Sequence, residues 1–199
     1  MAEQTARRVP GEKIWWWPNV LTYGRIVAVP MLAGLILYGT NAALWIALVI
    51  YIFAAVTDFF DGYLARIWQQ QSALGRMLDP IADKVLVSVV LLALAANGAL
   101  TGGHLWAAII ITAREVLVSG LREFLSELRV SVPVTQIAKW KTTVQLLAIG
   151  FLIAGPAGDA IIQGISFAGM VLLWIAAGLT LYTGYDYFRA GLRHVVDEE

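Results

Sequence analysis

A chain of 199 residues, 59% hydrophobic and 14% charged, with a mean hydropathy of +0.73, has the length of one compact domain but not the composition of a soluble one, and belongs in a bilayer. The formal net charge is zero, so no global basic attraction supports a nucleic-acid partner, and none is expected. Cysteine is absent, which excludes disulfides, thiolate-bound zinc and a thiol nucleophile.

A helix needs about 20 mostly apolar residues to cross the hydrocarbon. Six stretches qualify, near 20–38, 43–65, 78–97, 105–125, 138–155 and 161–187. Residues 1–18 precede them as a polar segment that ends in an interfacial run, Trp15, Trp16 and Trp17, and nothing in it predicts a cleaved signal. Pro18 and Asn19 mark the start of the first span. Arg25, about a turn and a half inside it, either snorkels to the surface or sits level with the acids described below; the sequence leaves both readings open. The second span ends on Asp58 and Asp61, inside the helix rather than after it. A polar connection with Arg66, Gln69, Gln70, Gln71, Ser72 and Gly75 leads to Asp79, Pro80 and Asp83 at the start of the third. The fourth span carries two doublets, Arg114 with Glu115 and Arg122 with Glu123, spaced about two turns apart on a similar face. They suit either internal ion pairs or an anionic substrate, and the deeper Arg114 favours the substrate. Lys139 and Lys141 open the fifth span, where they serve as interfacial anchors or as phosphate ligands. Small residues along the last two spans (Gly164, Gly169, Ala176, Ala177, Gly178) suit close helix packing within one chain or between two copies.

The Lys and Arg residues precede the first span, sit near its start, or fall at alternate turns thereafter, whereas 39–42, 98–104 and 156–160 contain none. The positive-inside rule then places both termini and the acidic cluster on the cytoplasmic side of a multi-pass protein.

The acids carry the chemistry. On a helix, spacings of three (Asp58, Asp61) and four (Asp79, Asp83) put each pair on one face, and the short connection folds the pairs together. Carboxylates gathered in a poorly hydrated place repel one another and lose solvation, so they need a counter-ion or must protonate. Hard oxygen ligands without neighbouring His or Cys point to Mg2+ or Mn2+, which complete their shells with water and substrate phosphates. Arg66, five residues beyond Asp61, is placed to meet a phosphate held at the same centre. The expected fold class is therefore an all-α integral membrane protein. Its six transmembrane helices enclose a polar, metal-binding cavity open to the cytoplasmic side.

The run from Asp58 to Asp83 closely resembles the motif of the CDP-alcohol phosphatidyltransferase family, D-x2-D-G-x2-A-R-x8-G-x3-D-x3-D, and matches it at Asp58, Asp61, Gly62, Ala65, Arg66, Gly75, Asp79 and Asp83. The resemblance implies a homodimer in the bacterial cytoplasmic membrane, with two Mg2+ or Mn2+ ions held by Asp58, Asp61, Asp79 and Asp83. It makes Asp83 the general base as well. It implies contacts to a CDP-linked lipid donor, CDP-diacylglycerol, through Asp58, Asp61, Gly62, Ala65, Arg66, Ser72, Gly75 and Asp79. Three further runs resemble the branch of the family whose acceptor is sn-glycerol 3-phosphate: Asn19 to Arg25 with Thr22, Arg114 to Phe124 with Ser119, and Lys139 to Gln145 with Thr142. That branch needs cations for an anionic acceptor, and Arg114, Arg122, Lys139 and Lys141 are the available ones. The expected division is 1–18 as a cytoplasmic or interfacial segment, 19–188 as the six-helix catalytic domain, and 189–199 as a cytoplasmic tail. Rival expectations are a family member with another acceptor (inositol phosphate, serine or phosphatidylglycerol) and, from a different class, a divalent-cation transporter. The transporter is disfavoured because the outer half offers no matching acid except Asp159 in a loop.

Overall fold

A computed structural model describes residues 17–68, 73–127 and 136–196, with side chains described except at 17–20, 58–76, 127, 190 and 192–196. Six α-helices account for nearly all of it: α1 (Trp17–Tyr38), α2 (Asn41–Trp68), α3 (Ala73–Ala96), α4 (Leu105–Glu127), α5 (Gln136–Asp159) and α6 (Ile165–Val196), with a short 3-10 turn (Gly102–His104) before α4. No strand occurs among the described residues. The helices run from 22 to 32 residues, or about 33 to 48 Å at 1.5 Å per residue.

Among the described residues, four segments are by length and composition able to cross a bilayer: Leu21–Tyr38, Gly102–Ser126, Gln136–Asp159 and Ile165–Arg189. The chain is a membrane protein. The two remaining helices are the ones that carry the acids. Among the described residues the apolar part of α2 runs over Asn41–Thr57, and the first half of α3 holds Arg76, Asp79, Asp83 and Lys84.

Side chains are distributed as a lipid solvent demands. Val49, Phe53, Leu92, Trp106, Leu117 and Phe167 point outward, where acyl chains cover them at no cost. Inside, Leu32, Ile36, Tyr51, Val90, Leu94, Ile111, Ile149 and Leu173 form one continuous core. α5 packs most extensively on α6, α1 lies against both α2 and α3, and α2 touches α5 while α4 touches α6. Between apolar helices in lipid the attraction is mainly close van der Waals contact, so small residues matter. A Cβ at Gly169 would come within 3.0 Å of Leu152 Cγ, and one at Gly158 within 3.0 Å of Ile165 Cγ2. The two glycines are where α5 and α6 approach most tightly.

The connections are closed by specific polar contacts. Thr40 Oγ1 accepts from the Ala43 amide at 3.3 Å and so caps α2. Asn97 Nδ2 donates to the Ile36 carbonyl, tying the end of α3 to the last turn of α1. The fifth span, expected to end near residue 155, continues through a kink: Gly155 has φ 42° and ψ −130°, and helix resumes to Asp159. Asp159 Oδ1 then accepts from the Ser166 amide at 3.1 Å, which satisfies a donor in the first turn of α6.

Candidate active site

α3 begins at Ala73, earlier than the apolar stretch alone suggests. Asp79 therefore lies in the second turn and is not the N-cap that its place before Pro80 would allow. With Asp83 one turn further on, both carboxylates share one face of α3. Asp79 is engaged from α1. Thr22 Oγ1 donates to Asp79 Oδ1, and Arg25 Nη2 lies 3.4 Å from the same oxygen. Arg25 is only 2% exposed. Of the two readings open for it, the structure selects the one that places it level with the acids.

Asp83 lies within Coulombic reach of Tyr51 on α2 and of Lys141 on α5. Tyr51 is buried, and its hydroxyl donates to the Leu146 carbonyl at 3.2 Å, which fixes α2 against α5 beside the acid.

The backbone of α2 stays helical through Asp58 and Asp61 to Trp68. The side chains of Asp58, Asp61, Gly62, Ala65, Arg66 and Gly75, and Ser72 altogether, lie outside the described residues. Among the described residues no group of three or more His, Cys, Asp or Glu comes together. The described part of the donor set is Asp79 with Asp83, and it fits a hard divalent cation. The two carboxylates are a turn apart, and Asp79 Oδ2 accepts no hydrogen bond among the described residues.

The four predicted acceptor cations separate into two groups. Arg114 and Lys141 come together deep in the bundle around Glu115. Arg114 Nη1 is 3.5 Å from Glu115 Oε1, and Lys141 Nζ donates to that oxygen. The side chains of Arg114, Glu115 and Lys141 are 11%, 12% and 8% exposed. Arg114 Nη2 also donates to Thr183 Oγ1 on α6 at 2.9 Å. It reaches across because Gly184 has no side chain: a Cβ there would stand 3.1 Å from Arg114 Cγ. Among the described residues two cations meet at Glu115 in a poorly solvated place, with Asp83 also within Coulombic reach of Lys141, and buried guanidinium and ammonium groups of this kind can pair with an anion. About one helical turn from Lys141 and Thr183, Gln145 Oε1 and Thr180 Oγ1 are buried without hydrogen-bond partners among the described residues, as is Arg114 Nε.

Arg122 lies elsewhere, exposed on α4, with Nη2 donating to Tyr187 Oη at 3.1 Å and the guanidinium 5.3 Å from the ring centroid. Lys139 is exposed at the start of α5 and makes no ion pair among the described residues. Reading the sequence weighed Glu115 only as a partner in a doublet and passed over Tyr51 and Thr183. None of the three has a local signal, because each matters through a neighbour distant in sequence. Thr22 was visible only as one position of a family-like run.

An apolar groove at the far end of α3 is lined by His104, Phe167, Met170, Val171, Trp174 and Ile175. Trp174 Nε1 donates to His104 Nδ1 at 3.1 Å there. Its lining includes no Asp, Glu, Lys or Arg.

The model of one protein family, CDP-alcohol phosphatidyltransferase, matches residues 15–182. The chain belongs to the CDP-alcohol phosphatidyltransferase family. Among its relatives, a protein of Cereibacter sphaeroides is 41% identical over 93% of this chain and 99% of its own length. One of Rickettsia bellii is 43% identical over 87% and 93%, and one of Escherichia coli 37% identical over 91% and 97%. Each of the three is named CDP-diacylglycerol–glycerol-3-phosphate 3-phosphatidyltransferase. The family match extends well beyond the acidic motif and takes in the stretches that carry Arg25, Arg114, Glu115 and Lys141.

Proposed function

We propose that this chain transfers the phosphatidyl group of CDP-diacylglycerol to sn-glycerol 3-phosphate, giving phosphatidylglycerol phosphate and CMP. The observation that carries the acceptor choice is the buried pair Arg114 and Lys141 meeting at Glu115, with Lys141 also within Coulombic reach of Asp83. A dianionic phosphate bound there pairs with the two cations, and it leaves the acceptor's hydroxyl end near the acids. Serine brings no phosphate to such a site. The names of the similar proteins point the same way.

In this reading Asp58, Asp61, Asp79 and Asp83 hold two Mg2+ or Mn2+ ions. When bound, the ions supply charge neutralisation at the donor pyrophosphate and its leaving group. Gly62, Ala65, Arg66, Ser72 and Gly75 line the donor nucleotide. Arg114 and Lys141 fix the acceptor phosphate, with Arg122 and Lys139 as outer cations that draw it in. The free primary hydroxyl of glycerol 3-phosphate attacks the phosphorus bonded to diacylglycerol, and Asp83 takes its proton. The bond from that phosphorus to the bridging oxygen breaks, and CMP leaves with both electrons. Holding the two substrates together supplies much of the acceleration, since positioning alone is worth about 7–11 kcal/mol in well-oriented reactions.

We further infer six spans in a bacterial cytoplasmic membrane, with both termini and the cavity facing the cytoplasm, where nucleotide-linked lipid and soluble acceptor meet. The catalytic unit covers 19–188, flanked by the segments 1–18 and 189–199, and functions as a homodimer. The test is an acceptor panel with CDP-diacylglycerol, scored by CMP release. Glycerol 3-phosphate is expected to support turnover, and inositol phosphate, serine and phosphatidylglycerol are not. Release with another acceptor and none with glycerol 3-phosphate overturns the choice of acceptor. Metal uptake into proteoliposomes without CMP release overturns the enzyme reading itself.

A further inference from the structure

The first helix bears no acid and no residue of the acidic motif, yet it delivers two polar side chains to a single atom. Thr22 and Arg25 are three residues apart, hence on one face of α1, and that helix packs directly on α3. They are 1% and 2% exposed. Both meet Asp79 at Oδ1: the threonine hydroxyl donates to it, and the Arg25 guanidinium lies 3.4 Å away. The Asp79 side chain is 41% exposed, and among the described residues nothing donates to its Oδ2.

An aspartate has a short, two-torsion side chain, so donors fixed on one oxygen fix the plane and direction of the other. A threonine hydroxyl and a guanidinium buried in an apolar helix are costly unless their partner is always present. Groups that hold a metal ligand from behind typically influence metal affinity by about 10- to 100-fold.

We propose that Thr22 and Arg25 are positioning residues for Asp79: they occupy Oδ1 from α1 and so aim Oδ2 at the divalent cation. α1 thereby becomes part of the metal site without contributing a ligand. Arg25 also offsets one of the clustered negative charges before metal arrives. Thr22 adds direction without charge, which makes it the cleaner probe. The inference rests on the reading of Asp79 as a metal ligand in a phosphatidyltransferase, and its test is independent of the acceptor.

The experiment is Mn2+ binding to the full-length, detergent-solubilised protein without substrates, followed by the loss of the free-Mn2+ electron paramagnetic resonance signal. Melting temperatures are recorded alongside. Thr22→Val, nearly isosteric but without the hydroxyl, is expected to weaken Mn2+ binding by on the order of 10-fold or more. Thr22→Ser is expected to bind within a few-fold of the unaltered protein. Equal binding by the valine variant overturns the proposal, as does a lowered melting temperature with an unchanged Mn2+ midpoint. Equal weakening in the valine and serine variants also overturns it, since packing rather than the hydroxyl would then be responsible. Absence of Mn2+ binding by the unaltered protein removes the metal reading of the acids and this proposal with it, and is recognisable as such.

Discussion

Asp83 is set apart from Asp79 by its surroundings. Asp79 is gripped at one oxygen from α1, whereas Asp83 lies within Coulombic reach of a buried tyrosine and of the lysine proposed for the acceptor. That position suits a proton acceptor, because the hydroxyl to be activated belongs to the molecule the lysine holds. Asp83→Asn is expected to lower turnover by at least about 100-fold, the lower end of what a general base contributes. CDP-diacylglycerol binding should largely survive. Parallel measurement of CMP release and donor binding checks both, and near-normal turnover rules Asp83 out as the base.

Among the helices, α6 supports the site while contributing no charge to its centre. Thr183 accepts from Arg114, and Gly184 leaves room for that side chain to cross. Gly184→Ala would place a methyl 3.1 Å from Arg114 Cγ and 3.4 Å from Nε. Displacing a substrate-holding group costs function more than stability, and the KM for glycerol 3-phosphate is expected to rise on the order of 10-fold. Gly169→Ala is the contrasting change. Its methyl meets Leu152 Cγ at 3.0 Å, far from the cations, so about 1–3 kcal/mol of stability should be lost to overpacking with KM unaltered. Steady-state kinetics and thermal melting of the two variants separate the outcomes, and identical effects would refute the distinct roles given to the two glycines.

For the whole molecule the decisive property is orientation. The proposed mechanism needs the acids of the motif on the cytoplasmic side, and the groove at His104 and Trp174, near the start of α4, marks the opposite side. A chain without cysteine gives a clean background for labelling. Thr101→Cys, in the connection before α4, is expected to react with a membrane-impermeant thiol reagent in intact cells. Ser126→Cys, at the opposite end of α4, should react only after permeabilisation. The reverse pattern would turn the cavity outward, away from cytoplasmic glycerol 3-phosphate.

Much of this protein is determined by sequence alone. Apolar length dictates helices in a bilayer, because no other open structure satisfies its backbone there. Spacings of three and four dictate that each acidic pair shares a face, and the fixed pattern from Asp58 to Asp83 carries the family. Tertiary structure decided how those faces meet. Arg25 turned from a residue with two readings into a partner of Asp79. Arg114 and Lys141 were drawn together by Glu115, while Arg122 went to Tyr187 and Lys139 to the surface. Such choices depend on the rotation of each helix about its axis. In a soluble protein the polar stripe reveals that rotation, but here lipid covers one face and core the other, and both are apolar.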